Sequence, residues 1–190
     1  MRFSTTQSPP VMIVPVYSAN GEVLLWDDPN PWRETWQNVP SHGLVPLRVP
    51  VGDLTDLSLV NARIALSGDV ASLQELAEHH NAGASLVTVA TLEGSAAARQ
   101  LKVSSTRYTQ GNAESLPDRT FSVQGDQPSP ELLQQAATEV AQDMEIAWRQ
   151  GTTVMGSPRR PRAASSCRRH RWRTGYGYVA CSTRCHRSSA

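Results

Sequence analysis

Residues 85–92 of this 190-residue chain, SLVTVATL, are mostly apolar and β-branched. A stretch of this length and composition predicts a strand buried in the centre of a sheet. Two earlier stretches, 11–17 (VMIVPVY) and 22–26 (EVLLW), predict further strands joined by the turn-forming residues 18–21, SANG. Pro15 cannot donate a backbone hydrogen bond, so we expect it at a sheet edge, a bulge or a strand end.

After the central strand, residues 100–109 and 120–124 alternate apolar with polar side chains. This alternation predicts an antiparallel pair with a polar outer face. Residues 44–49, LVPLRV, predict one more short extended segment, because prolines punctuate it.

A short helix is predicted to begin at Pro31, with Asn30 as its capping residue. Trp32 and Trp36 are then one turn apart on the same face. Together with Trp26 they could line a ligand groove, or they could form a structural clamp that closes the edge of the sheet. We favour the clamp, because tryptophan usually contributes large buried area.

A longer helix is predicted from Asp53 to Gly68, with Asp56 in the first turn, where the helix dipole favours an anion. Capping and the dipole explain both aspartates, so no chemistry is assigned to them. The predicted apolar stripe of this helix is Leu57, Val60 and Ile64.

Two more helices complete the pattern. Asp69 is expected to cap one that ends near residues 81–83, and Ser129 to cap another that ends at Gln150, before Gly151. The order of elements predicts an α/β (α+β) fold, in which helices pack on one or both faces of a mixed β-sheet.

Charge is distributed very unevenly along the chain. Residues 156–190 contain nine arginines and no acidic residue, which leaves nine basic residues against all 17 acidic ones before them, a net charge of −8. Hydrophobic periodicity also stops there. We therefore expect a flexible N-terminus at 1–10, an α/β domain at 11–151 and a disordered arginine-rich tail at 152–190. A frameshift near codon 155 with a premature stop would explain the tail.

The pattern of tryptophans and turns is similar to that of a known family. It comprises Trp26 before an acidic turn, Asn30-Pro31-Trp32, Trp36, Leu44 to Leu47 and Gly52-Asp53-Leu54. Over roughly residues 9–154 the chain resembles the uncharacterised proteobacterial family known as domain of unknown function two-zero-six-six. Its members typically carry a secretion signal and further α/β sequence after this region. The resemblance therefore implies a periplasmic, cell-envelope protein that is truncated at both ends here.

The chain as written gives a different expectation for its location. Its first ten residues, MRFSTTQSPP, lack the apolar segment of a signal peptide, so it would stay in the cytoplasm. No run of 18 apolar residues occurs, so no membrane span is expected.

Polar clusters in the domain have simple structural explanations. Asp27 and Asp28 could bind a cation, or pair with a third carboxylate as acid and base, but aspartates are common in solvated turns. His79 and His80 stand at a predicted helix end, where a protonated imidazole is favourable. Adjacent helical residues point in different directions, so no shared role is expected for them. We predict no catalytic residue, metal site or cofactor.

The tail offers two further possibilities. Its cysteines and histidines, Cys167, His170, Cys181, Cys185 and His186, could supply zinc ligands, although their spacing is unusual for a structural zinc site. Its arginines could bind nucleic acid through phosphates. An accidental basic tail explains both features, so zinc and nucleic acid are not expected partners.

Function is open at this level. The leading interpretation is a non-enzymatic binding or assembly domain of the bacterial cell envelope, with an envelope protein as its partner. One alternative is a fragment of an enzyme whose catalytic residues lay in the lost C-terminal part. The other is a nucleic-acid-binding protein that acts through the basic tail.

Overall fold

A computed structural model describes residues 7–40, 43–95 and 98–155, with side chains described up to residue 150. Within these ranges the elements are β1 (Val11–Ala19), β2 (Glu22–Leu24), α1 (Pro31–Gln37), β3 (Leu47–Arg48), α2 (Leu54–Leu59), α3 (Ala62–Ser67), α4 (Val70–His79), β4 (Ala84–Glu93), β5 (Arg99–Thr109), β6 (Asn112–Ser115), β7 (Arg119–Val123) and α5 (Pro130–Met155). In this part of the chain, no helix combines the length and the apolar character that crossing a bilayer requires.

The strands form one mixed sheet in the order β2-β1-β4-β5-β6, with β3 also on β1 and β7 also on β5. β4 lies parallel to β1 and antiparallel to β5, so it is the buried central strand that its sequence predicts. The predicted antiparallel pair is also present, because Leu101 of β5 lies opposite Phe121 of β7. The predicted fold class, a mixed sheet with helices packed on it, is confirmed.

Alternate side chains of β1 belong to two different hydrophobic clusters, because successive residues of a strand point to opposite faces. Ile13 packs in a cluster with α1 and α5, whereas Met12 packs in a cluster with α3 and α4. The sheet therefore lies between two layers of helices. α5 buries the apolar stripe that its sequence predicts, namely Leu133, Ala136, Ala137, Val140 and Met144.

Pro15 lies within β1, at a place where one side of the strand has no strand partner. β3 pairs only with Val11 and Met12, and β2 pairs only with residues 17–19, so a gap separates them. The side chain of Asn30 fills this gap and donates to the carbonyl of Pro15 at 3.3 Å. Pro15 was expected at a sheet edge, a bulge or a strand end; it instead lies in the middle of β1, opposite Thr88 of β4, beside a gap in the pairing on its other side.

Three elements differ from their predictions. The single helix expected over residues 53–68 is two helices, because Val60 is extended and Asn61 caps a new helix. Strand β6 is absent from the prediction, since all four of its residues are exposed and its sequence, NAES, lacks an apolar face. The last helix runs past Gly151 to Met155, and the tail from residue 156 lies outside the described residues.

Candidate functional site

The most distinctive surface of the domain is the segment 51–57, which leads into α2 and which we call the α2 lip. Gly52 makes its turn, with a backbone φ of +76°. A Cβ atom on Gly52 would lie 3.3 Å from Trp26 and 3.2 Å from the guanidinium of Arg33. Glycine is therefore required here both for backbone conformation and for space.

Asp53 and Asp56 close the beginning of α2 in a reciprocal capping box. Asp53 accepts hydrogen bonds from the backbone N–H groups of Thr55 and Asp56, and Asp56 accepts one from that of Asp53. The predicted helix start is confirmed. The structure adds that Asp56 is completely buried, which is rare for an aspartate without a charged partner.

The partner of Asp56 is His80. Oδ1 of Asp56 lies 2.6 Å from Nε2 of His80, while Oδ2 accepts from the backbone N–H groups of Gly52 at 3.1 Å and Asp53 at 3.2 Å. His79 adds a second imidazole, with its ring 4.9 Å from that of His80 in an edge-on arrangement. One ligand atom from each of Asp56, His79 and His80 lies within 4.8 Å of the others.

The sequence assigns Asp56, His79 and His80 to no site. The two histidines were expected to point apart as helical neighbours, but α4 ends at His79 and His80 is already its C-cap. At this helix end the two rings lie side by side rather than pointing apart. The carbonyl of His80 also accepts from Nη1 of Arg48 at 2.7 Å, which holds the helix end against β3.

The outer side of the α2 lip is apolar and faces solvent. Leu54 is 85% exposed, Val51 is 73% exposed and Leu57 is 49% exposed. The prediction that Leu57 faces the core is wrong, because the break at Val60 starts a new helix with a new orientation. Trp26 holds this break in place, since its indole N–H donates to the carbonyl of Val60 at 2.6 Å.

The lip also carries a fixed negative charge. The backbone N–H of Asp56 lowers the pKa of the exposed Asp53 carboxyl below its usual range. Desolvation opposes this shift, and the N–H of Thr55 and the nearby His79 and His80 lower the pKa further. Asp53 is thus a carboxylate at neutral pH, between the exposed side chains of Val51 and Leu54.

The three tryptophans proposed as a groove or a structural clamp do not lie together. Trp32 and Trp36 pack edge to face, with ring centroids 5.7 Å apart, in the cluster beside α5. Trp26 belongs to the cluster on the other face of the sheet, beside α3 and α4. All three rings are buried.

The acidic turn before α1 is held by a basic side chain. Arg33 forms an ion pair with Asp28 and donates from Nη1 to the carbonyl of Trp26 at 2.8 Å. Asp27 accepts a long hydrogen bond of 3.4 Å from the backbone N–H of Leu25. The structure therefore gives Asp28 a cationic partner within the chain, and this partner also packs near Gly52 of the lip.

A shallow cleft of about 370 Å³ lies beside β2 and the start of α1. Tyr17 borders it, and burial raises the pKa of its phenol. The Tyr17 hydroxyl has no hydrogen-bond partner among the described residues, but it is closed off from the surface. The polar side chains that border the cleft, Asn20, Glu22 and Gln127, are exposed.

Comparison with known proteins gives only distant likenesses. No protein-family model matches the chain, and no curated protein matches it. Among solved structures, the PelC dodecamer protein from Paraburkholderia phytofirmans is 12% identical, with 76% of this chain and 89% of that chain covered and a TM-score of 0.35.

Two further solved structures are similar at the same level. Protein XCC0632 from Xanthomonas campestris, of the DUF330 family, is 10% identical over 80% of this chain and 91% of that chain, with a TM-score of 0.33. Lipoprotein GNA1162 from Neisseria meningitidis is 14% identical over 72% of this chain and 97% of that chain, with a TM-score of 0.34. Likenesses of this size assign neither a family nor a function, so membership of the family suggested by the sequence stays a prediction.

Proposed function

We propose that this domain is a non-enzymatic binding or assembly module of the bacterial cell envelope, and that it binds a partner protein through the α2 lip. The observation that carries the proposal is the exposure of Val51, Leu54 and Leu57 on an element whose inner side is firmly fixed. The assignment to the envelope rests on the family resemblance of the sequence.

The fixed inner side distinguishes the lip from an ordinary loose loop. Asp56 and His80 join α2 to the end of α4, and Trp26 donates to the carbonyl at the end of α2. Because the backbone that carries the apolar side chains is already ordered, a partner that covers them need not order that backbone on binding. The lip can therefore bind a partner without first having to fold.

The size and charge of the lip indicate which partner it accepts. Three side chains provide far less than the roughly 800 Å² per partner that a standard stable interface buries. A short segment of another protein fits this area better than a second copy of the domain. Since residues before 156 carry a net charge of −8 and Asp53 stands on the lip, the segment should combine apolar anchors with basic residues.

The test uses a labelled peptide of mixed leucine and lysine, with a leucine–glutamate peptide as its counterpart, against the full-length chain. We expect Leu54→Glu to weaken binding of the basic peptide by about fivefold to thirtyfold, because losing a central apolar contact costs ~1–2 kcal/mol. Fluorescence anisotropy measures the affinity. The added negative charge would by itself favour the basic peptide, so a loss reports the apolar contact.

The matched control is Ile146→Glu. Ile146 is 47% exposed on α5, on the other side of the sheet, and this change adds the same charge. Equal effects of the two substitutions, or equal binding of the two peptides, would contradict the proposal. A dimer in sedimentation experiments that Leu54→Glu dissociates would assign the lip to a second copy, and would overturn the peptide partner.

A further inference from the structure

We infer that Asp56, His79 and His80 form a zinc site on the inner side of the α2 lip. This inference goes beyond the proposed binding function, because it concerns the opposite face of α2 and a different ligand. It starts from the placement of two imidazoles and one carboxylate within 4.8 Å of one another. Nitrogen and carboxylate ligands of this kind suit Zn²⁺.

Hydrogen bonds hold the carboxylate of Asp56 in an orientation that lets it act as a metal ligand. Its Oδ2 already accepts from the backbone N–H groups of Gly52 and Asp53, which leaves Oδ1 for His80. Such outer hydrogen bonds orient the ligands of metal sites and increase metal affinity. Burying the Asp56 carboxylate costs free energy unless a positive charge compensates for it. A divalent cation supplies more positive charge than one imidazole does.

An ion pair between Asp56 and His80 would explain those two residues but gives no role to His79. The ring of His79 stands at 84° to that of His80, so the two imidazoles approach each other edge to face. Their positions come from the end of α4 and from Arg48, which holds the carbonyl of His80. A shared cation accounts for all three side chains with one cause.

The geometry also indicates how the site closes. Zinc binds histidine nitrogen and carboxylate oxygen at about 2.0–2.2 Å, so tetrahedral ligand atoms lie roughly 3.3–3.5 Å apart. The cluster reaches this spacing if the exposed His79 swings inward and the 2.6 Å contact between Asp56 and His80 opens slightly. Three protein ligands leave a fourth position for water or for a group from a partner.

The experiment must separate this cluster from the cysteines and histidines of the tail. We would titrate Co²⁺ and Zn²⁺ into the full chain with Cys167, Cys181 and Cys185 replaced by serine, so that only nitrogen and oxygen ligands remain. Calorimetry gives the stoichiometry, and the Co²⁺ absorption spectrum reports the coordination. We expect one ion per chain in a low-coordinate spectrum.

The decisive variant is His79→Gln, because it leaves the buried pair of Asp56 and His80 intact. Loss of one of three ligands should weaken binding by at least the roughly tenfold to hundredfold that loss of an outer-shell partner costs, while His186→Gln, the matched control in the tail, should leave affinity unchanged. Asp56→Asn should abolish binding, with circular dichroism as the check on folding.

Two results would overturn the zinc site. One is an affinity that His79→Gln does not change, and the other is no binding at millimolar metal by the cysteine-free chain. Neither result depends on peptide binding at Leu54, so failure of the zinc site and failure of the proposed partner site can be told apart.

Discussion

Replacing Asn30 with alanine is expected to lower the free energy of unfolding by about 3 kcal/mol. Asn30 is completely buried, and its side chain makes four hydrogen bonds. Nδ2 donates to the carbonyls of Pro15 and Leu25, and Oδ1 accepts from the backbone N–H groups of Trp32 and Arg33. Alanine would leave all four backbone groups without these partners. Urea denaturation followed by circular dichroism measures the change.

Two further variants show which half of the side chain matters. Asn30→Asp keeps the oxygen that caps α1 but places a carboxylate against two carbonyls, so it should be at least as destabilising as alanine. Asn38→Ala is the matched control, since Asn38 is exposed at the other end of α1 and makes one local hydrogen bond. It should cost less than ~0.5 kcal/mol. If Asn30→Ala costs no more than this control, the role of Asn30 in filling the gap beside β1 is wrong.

Asn30 also shows which contacts a local sequence pattern can predict and which it cannot. The Asn-Pro pair predicts a helix start, because capping depends only on residues within one turn. The donation to Pro15 connects residues 15 positions apart, and no local pattern encodes it. A gap beside β1 follows only when β2 and β3 are both in place. The sequence thus predicts that Asn30 caps α1, but not that its side chain fills the gap beside β1.

The candidate site was predicted least well, for a related physical reason. Helical periodicity places Leu57 in the core. One extended residue, Val60, separates α2 from α3, so α2 has a different orientation from the single helix that was predicted. His79 and His80 would point apart as neighbours within a helix, but they lie at its end, where their rings are 4.9 Å apart. Helix ends depend on a few tenths of a kcal/mol per residue, so they are the least predictable part of a pattern.

The contacts on the inner side of α2 stabilise the helix that carries the exposed leucines on its outer side. The capping box and the contact between Asp56 and His80 fix a helix of only six residues, which would not be stable alone. Its exposed leucines are therefore presented by these polar contacts together with the packing of Leu59 and Val60 in the cluster beside α3 and α4. A binding surface of this kind depends on the buried carboxylate beneath it.

Replacing Trp32 with alanine is expected to lower the free energy of unfolding by about 3–5 kcal/mol, the range found for large aromatic side chains in cores. Trp32 is fully buried, packs against Trp36, and donates from Nε1 to the carbonyl of Thr88 at 3.3 Å. It therefore joins α1 to the central strand β4. Far-UV circular dichroism is the appropriate signal in urea, because the substitution itself changes tryptophan fluorescence.

Phenylalanine variants separate packing from hydrogen bonding in the clamp that we propose for these rings. Within the described residues the indole N–H of Trp36 has no hydrogen-bond partner, whereas that of Trp32 has one. Trp32→Phe should therefore cost ~1 kcal/mol more than Trp36→Phe. Both variants should bind the leucine–lysine peptide as the parent does, because the α2 lip lies on the other side of the sheet. Loss of peptide binding with stability unchanged would instead support a ligand groove at these tryptophans.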